Sequence, residues 1–182
     1  MSLELRKYAK RDNLTRRLKK VLGDTVLRKV PEEEAALYGG GAFDYRKNEI
    51  IMAKDDPSIL AHEIGHAHFQ KSMLGKLTQN IPARAAHALG PLAGFAPIAG
   101  DAIRSTSGKA LAIAAPLLLA APTLVSEGVA TYKGHSLLTE AGASPEELSD
   151  YRKKMLHGFG TYAQSPIAGT ALAASGVLLR GL

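Results

Sequence analysis

A chain of 182 residues is long enough for one domain with a sizeable core and short for two. It has no cysteine, which excludes a disulfide framework and any thiolate metal cage, leaves nitrogen and oxygen as metal donors, and fits a reducing compartment. A formal charge of +6 and a sequence pI near 9.5 favour anionic partners, lipid head groups or nucleic acid, while the absence of tryptophan and an aromatic content of 5% leave small residues to do the packing.

Residues 2–23 carry Arg6, Lys7, Lys10, Arg11, Arg16, Arg17, Lys19 and Lys20 against Glu4 and Asp12, with Leu3, Leu14, Leu18, Val21 and Leu22 among them. This predicts one or two basic amphipathic helices. They form either an arm for an anionic lipid surface or nucleic acid, or a solvated helix that packs its leucines on the domain. The charged start has no apolar core before a small-residue cleavage site, so no secretory signal is expected and the chain is expected on the cytoplasmic side. Thr25–Val30 is short and β-branched, a strand; Pro31 and three glutamates open a brief helical turn. Gly39, Gly40 and Gly41 read as a turn, since they lack the lysine and hydroxyl residue of a phosphate-binding loop. Ala42–Tyr45 and Glu49–Met52 then flank Arg46, Lys47 and Asn48 as a hairpin. A strand placed just before a metal helix can accept an extended substrate at its edge, and Glu49–Met52 is the candidate for that edge.

Asp56 followed by Pro57 offers an N-cap with proline at the first helical position. The helix predicted from there reaches about Leu74–Gly75 and carries His62, Glu63 and His66, the His-Glu-x-x-His pattern. Residues four apart share a helix face, so the two imidazoles can reach one ion, and Glu63 sits beside it as a general base for a metal-activated water. His68 lies about 200° around the axis from His66 and is not expected to ligate. Gly65 costs about 1 kcal/mol against alanine in a helix interior and so needs a reason, such as close approach of another backbone.

Asn80–Arg84 breaks the helix. Two uncharged runs follow, Ala85–Gly100 with Pro91 and Pro97, and Ala110–Ser126 with Pro116 and Pro122, separated by a polar turn. They have the form of a proline-interrupted apolar hairpin, near the short end of bilayer-spanning length, and are expected either to enter a membrane or to form a buried or re-entrant hairpin. At the end of the second run stands Glu127. A carboxylate entering a helix after an uncharged stretch needs a neutralising partner, which makes it the best third ligand, with His135 and His87 competing. Thr131, one turn on, is placed to hydrogen-bond a ligand, and His135, His87, Tyr132 and Arg84 are candidates for polarising a substrate carbonyl. Ser144-Pro145-Glu146-Glu147 is a capping box opening a helix expected to end at Gly158 and Gly160, and 163–179 is a last apolar segment.

The set His62-Glu63-Ile64-Gly65-His66-Ala67, an arginine followed by an alanine-, glycine- and proline-containing stretch, and an apolar run ending in Glu127-Gly128-Val129-Ala130-Thr131 resembles the neutral zinc metallopeptidases of bacterial membranes. More distantly it is similar to the heat-shock and prenyl-protein membrane peptidases, in which two transmembrane segments separate the metal helix from a glutamate ligand. The resemblance covers about residues 42–140. It implies a zincin-like fold, zinc held by His62, His66 and Glu127, and a catalytic Glu63.

The expectation is therefore a mainly α chain with a small β-hairpin: a basic arm over 1–23 and a zinc metallopeptidase-like domain over 24–182, with apolar helical segments 85–100, 110–126 and 163–179. It would act on a protein or peptide substrate, associate with membrane and could oligomerise. The rival from another class is a membrane-active structural protein of an envelope or virion, in which the metal is a staple or vestigial. Nucleic-acid binding through residues 2–23 is a third reading, which would weaken steeply with salt and survive chelation.

Overall fold

A computed structural model of the chain describes residues 3–78 and 106–180. Arg84, His87, the break at 80–84 and the apolar segment 85–100 lie outside the described residues. The fold is mainly helical with one small sheet. In chain order the elements are α1 (Leu3–Lys19), β1 (Val26–Lys29), α2 (Glu32–Ala36), β2 (Gly41–Asp44), β3 (Glu49–Met52), α3 (Pro57–Gln70), α4 (Met73–Thr78), α5 (Thr106–Glu140) and α6 (Pro145–Arg180). They fall into two compact units, Met1–Lys76 with Glu127–Met155, and Leu77–Ser126 with Leu156–Leu182.

In the first unit the sheet has the order β1-β3-β2, with β3 parallel to β1 and antiparallel to β2. The expected hairpin is present, its turn held by Asp44 Oδ1, which accepts from the amides of Arg46 and Lys47, and by Asn48 at φ 50°. Glu49–Met52 is the central strand, however, and the edge beside the metal helix is β2. The alternation of side chains along β3 explains why: Ile50 and Met52 enter the main core while Ile51 packs with Val30 and Ala35 on the other side, so both faces are covered. The main core joins Leu14 and Leu18 of α1, Leu60, Ala61 and Ile64 of α3, Leu138 of α5 and Tyr151 of α6 to that sheet face. The basic helix thus packs its leucines on the domain and leaves Arg16, Arg17, Lys19 and Lys20 in solvent.

α3 starts as expected, with Asp56 Oδ1 accepting from the amides of Ser58 and Ile59. It stops at Gln70, short of the predicted Leu74–Gly75. Ser72 Oγ donates to the carbonyl of Phe69 and accepts from the amide of Gly75, which turns the chain before α4 begins. The turn between α5 and α6 uses Gly142 at φ 81°, and Arg17 donates to the Ala141 carbonyl there. The capping box of α6 is formed in both directions: Glu147 accepts from the Ser144 amide at 2.7 Å, and Ser144 Oγ accepts from the Glu147 amide at 3.4 Å.

In the second unit two expectations are corrected. The run 110–126 is one uninterrupted part of α5, with Pro116 and Pro122 inside it. Each proline removes one backbone hydrogen bond, and the alanine- and leucine-rich turns on either side keep the helix going. Likewise α6 continues through Gly158, Gly160 and Pro166 to Arg180. Neither glycine takes the positive φ that would end a helix, so each costs about 1 kcal/mol of propensity and nothing more. Small residues fill the buried positions, Pro116, Ala120 and Thr123 on α5 and Pro166, Gly169 and Ala173 on α6, while Leu111, Leu117, Leu118 and Ile167 are exposed. Gly108–Glu140 has the length and composition of a helix able to cross a bilayer, with mean hydropathy 1.7 in its most apolar window, of which 17% is buried.

Candidate metal centre

The site lies in the first unit and is built from α3 and the part of α5 that begins at Glu127. The two helices approach closely because small residues face each other in reverse order. A Cβ on Gly65 would stand 2.3 Å from the Ala130 carbonyl oxygen, and one on Gly134 would stand 3.0 Å from the Ala61 carbonyl oxygen. Ala61 and Gly65, four apart, thus meet Gly134 and Ala130, also four apart. The predicted reason for Gly65 is found here. Tyr151 of α6 locks the same stretch: its buried hydroxyl donates to the Thr131 carbonyl at 2.9 Å. Burial, with Glu63 and Glu127 nearby, pushes its pKa up, so it stays a donor.

This clasp brings Glu127 onto the two histidines. His62 Nε2 lies 3.2 Å from Glu127 Oε2 and 3.2 Å from His66 Nε2, and His66 Nε2 lies 3.5 Å from Glu127 Oε1. An ion bound tetrahedrally at about 2.0–2.1 Å has ligand atoms about 3.3 Å apart, the edge of that tetrahedron. Each neighbouring pair is near that spacing, the two imidazoles meeting different oxygens of Glu127, and one donor atom from each residue lies within 4.8 Å of the others, a group able to hold an ion. The imidazole rings meet edge to face, with centroids 4.7 Å apart and an interplanar angle of 88°. Nδ1 of His62 is buried without a hydrogen-bond partner among the described residues, so the bond that usually orients a ligating imidazole from behind is not made here.

Charge is concentrated in a largely buried place. Burial works against ionisation of Glu127, but the hydrogen-bonded imidazoles of His62 and His66 outweigh it and bring its pKa down to about 2. Burial lowers the pKa of His66, and Glu127 and Glu63 more than reverse this. Glu63 is 6% exposed, and its burial, helped by Glu127, raises its pKa although His66, His62 and the Phe43 amide of β2 pull the other way.

The other sequence candidates are placed as follows. Thr131 contributes its carbonyl, to Tyr151. His135 is half-buried with its ring 6.3 Å from that of Tyr151, outside the group of three, and Tyr132 is 75% exposed. His68 is half-buried and also outside the group; burial, with Lys133 and Lys71, lowers its pKa. Sequence reasoning missed Gly134, Tyr151 and Lys154. The last of these holds the α3 cap through a 2.8 Å bond to Asp56 Oδ2, with Arg11 at 3.6 Å. Only Gly134 had a signal in the sequence, its spacing from Ala130, which repeats that of Ala61 and Gly65. Comparison with protein-family models, curated proteins and solved structures returned no match.

Proposed function

We propose that the protein is a zinc-dependent endopeptidase with a zincin-like site. The observation that carries this reading is the convergence of His62, His66 and Glu127, whose donor atoms lie within 4.8 Å of one another, with buried Glu63 adjacent on the same helix as the histidines. The donor set, two imidazoles and a carboxylate, matches zinc in sites that leave a fourth position open for chemistry. Zinc bound there supplies a Lewis acid that lowers the pKa of a water to about 7 and polarises a carbonyl. Glu63, buried beside the group on the same helix, would take a proton from the attacking water and return it to the departing amine. β2, the edge strand, runs beside Glu63: a Cβ on Gly41 would come within 3.7 Å of the Glu63 side chain. An extended peptide adding to that edge would bring its backbone to the catalytic carboxylate.

The test is metal analysis with peptide hydrolysis. Wild-type protein should bind one zinc and cleave an unfolded protein substrate; Glu63→Gln should keep the metal and lose cleavage by about 100-fold or more. Cleavage at the wild-type rate in Glu63→Gln would end this mechanism and leave the metal a structural staple. A second property is favoured by the exposed leucines of 106–126: association with a lipid bilayer, read out by flotation with vesicles of phosphatidylglycerol and phosphatidylethanolamine. Loss of flotation on changing Leu111, Leu117 and Leu118 to serine would support it.

A further inference from the structure

One turn before Glu63 on α3, and on the same face, lies Ile59, which forms a wall of a cavity of about 440 Å³. The opposite walls are small: Ala36 of α2, then Gly39 and Gly40, whose positive φ values turn the chain from α2 into β2. Lys54 and Glu32 pair at the rim. The lining is mostly apolar, with Ala35 and Ala53 completing it, and its charged groups are paired: Glu32 with Lys54, and Asp56 with Lys154. Gly40 leads directly into Gly41, the first residue of β2, which among the described residues is unpaired on its outer side beside Glu63, so the cavity continues the line of that edge. Ile59 and Glu63 are about 6 Å apart along the helix axis, and an extended peptide advances about 3.3 Å per residue. A strand laid on β2 with its reacting carbonyl at Glu63 would therefore carry a side chain into the cavity from a residue within two of that carbonyl.

We propose that this cavity receives an apolar side chain of the peptide substrate, of leucine, phenylalanine or methionine size, and so sets the sequence preference of cleavage. The proposal rests on the peptidase reading. Its specificity would come from the small residues at 36 and 39, which leave room beside Ile59, and from the pairing of Glu32 with Lys54 and of Asp56 with Lys154, which offers an incoming charge no free partner. Burial of one such side chain corresponds to about a ten- to hundredfold preference over glycine.

The experiment has two arms on the full chain. In the first, zinc-loaded protein is given a quenched decapeptide library and the cleavage sites are sequenced. One position within two residues of the cut should favour leucine, phenylalanine or methionine over glycine and aspartate by at least tenfold. Ala36→Phe, at an exposed position, should cut the leucine-to-glycine ratio of kcat/KM at least fivefold. Lys54→Glu, also exposed, should shift preference at that position toward lysine and arginine, and serves if Ala36→Phe does not fold. A preference that survives both variants, or no apolar preference, overturns the proposal. In the second arm, N-acetyl-leucinamide and N-acetyl-aspartamide are titrated into isotope-labelled Glu63→Gln protein. The leucine probe should shift the Gly39 and Gly40 amides and the aspartate probe should not. If neither wild type nor Glu63→Gln cleaves any peptide, the peptidase reading falls, while shifts confined to Gly39 and Gly40 still support an apolar side-chain site and their absence removes it.

Discussion

Gly65→Ala tests the clasp between the metal helix and α5. The added methyl would lie 2.3 Å from the Ala130 carbonyl oxygen and 2.9 Å from its Cα, both backbone atoms that cannot swing aside. Restoring ordinary contact requires the helices to part by about 1 Å, an overpacking strain of about 1–3 kcal/mol. Against it stands a gain of about 1 kcal/mol from replacing glycine in a helix interior. The expected net effect is a loss of about 1 kcal/mol in stability. The metal should suffer more, because the same displacement draws Glu127 away from imidazoles that now stand 3.2 and 3.5 Å from it. A ligand moved by that much should weaken zinc binding at least 10- to 100-fold, the range seen when support for a ligand is lost. Urea unfolding of the metal-free protein gives the first quantity, and competition with a chromophoric chelator gives the second. If Gly65→Ala stabilises the protein by about 1 kcal/mol and binds zinc as before, the two backbones do not meet at this point and the assembly of the site described above is wrong.

Tyr151→Phe removes the bond to the Thr131 carbonyl and should cost about 1 kcal/mol in urea unfolding, with a smaller fall in zinc affinity than Gly65→Ala causes. Asp56 gives a pH signature. Its burial opposes charge, but Lys154 and the amides of Ile59 and Ser58 prevail and hold its pKa below the ordinary carboxylate value. Its contribution is present above about pH 4, the unfolded value, and is lost as pH falls through the lower folded one. Asp56→Asn keeps the cap and loses the ion pair, so it should cost less than about 1 kcal/mol at pH 7, given the exposure of Lys154, and nothing at the acid end of a pH series of melts. Ser144→Ala opens the capping box and should lower stability by about 1 kcal/mol, measured by thermal unfolding.

The parts of the fold that were legible in the sequence are those fixed by neighbours along the chain. Asp56 and Pro57 start α3, Ser144 and Glu147 cap α6, and Arg46–Asn48 turns the hairpin, because each is settled within four residues. The spacing of His62, Glu63 and His66 belongs to the same class. Gly65 announced a close contact without naming the partner, which depends on Ala130 arriving from another part of the chain. The edge of the sheet was not legible: β1 and β2 both pair with β3, and nothing local to Glu49–Met52 marks it as flanked on both sides. Helix ends were misjudged where composition substituted for geometry. Gly158 and Gly160 looked like stops, yet a stop needs a left-handed φ that neither adopts, and Ser72 ended α3 through a side-chain bond that apolar periodicity does not register.

His62 and Glu127 are 65 positions apart, and residues 77–126 of the second unit are threaded between them. An ion shared by the two would act as a removable crosslink on that loop. The closure cost of such a loop rises only about 0.6 kcal/mol for each doubling of its length. The intervening segment could therefore lengthen, shorten or change its composition while His62, His66 and Glu127 kept their register, which would make that segment and the ligand group separable in evolution and in design.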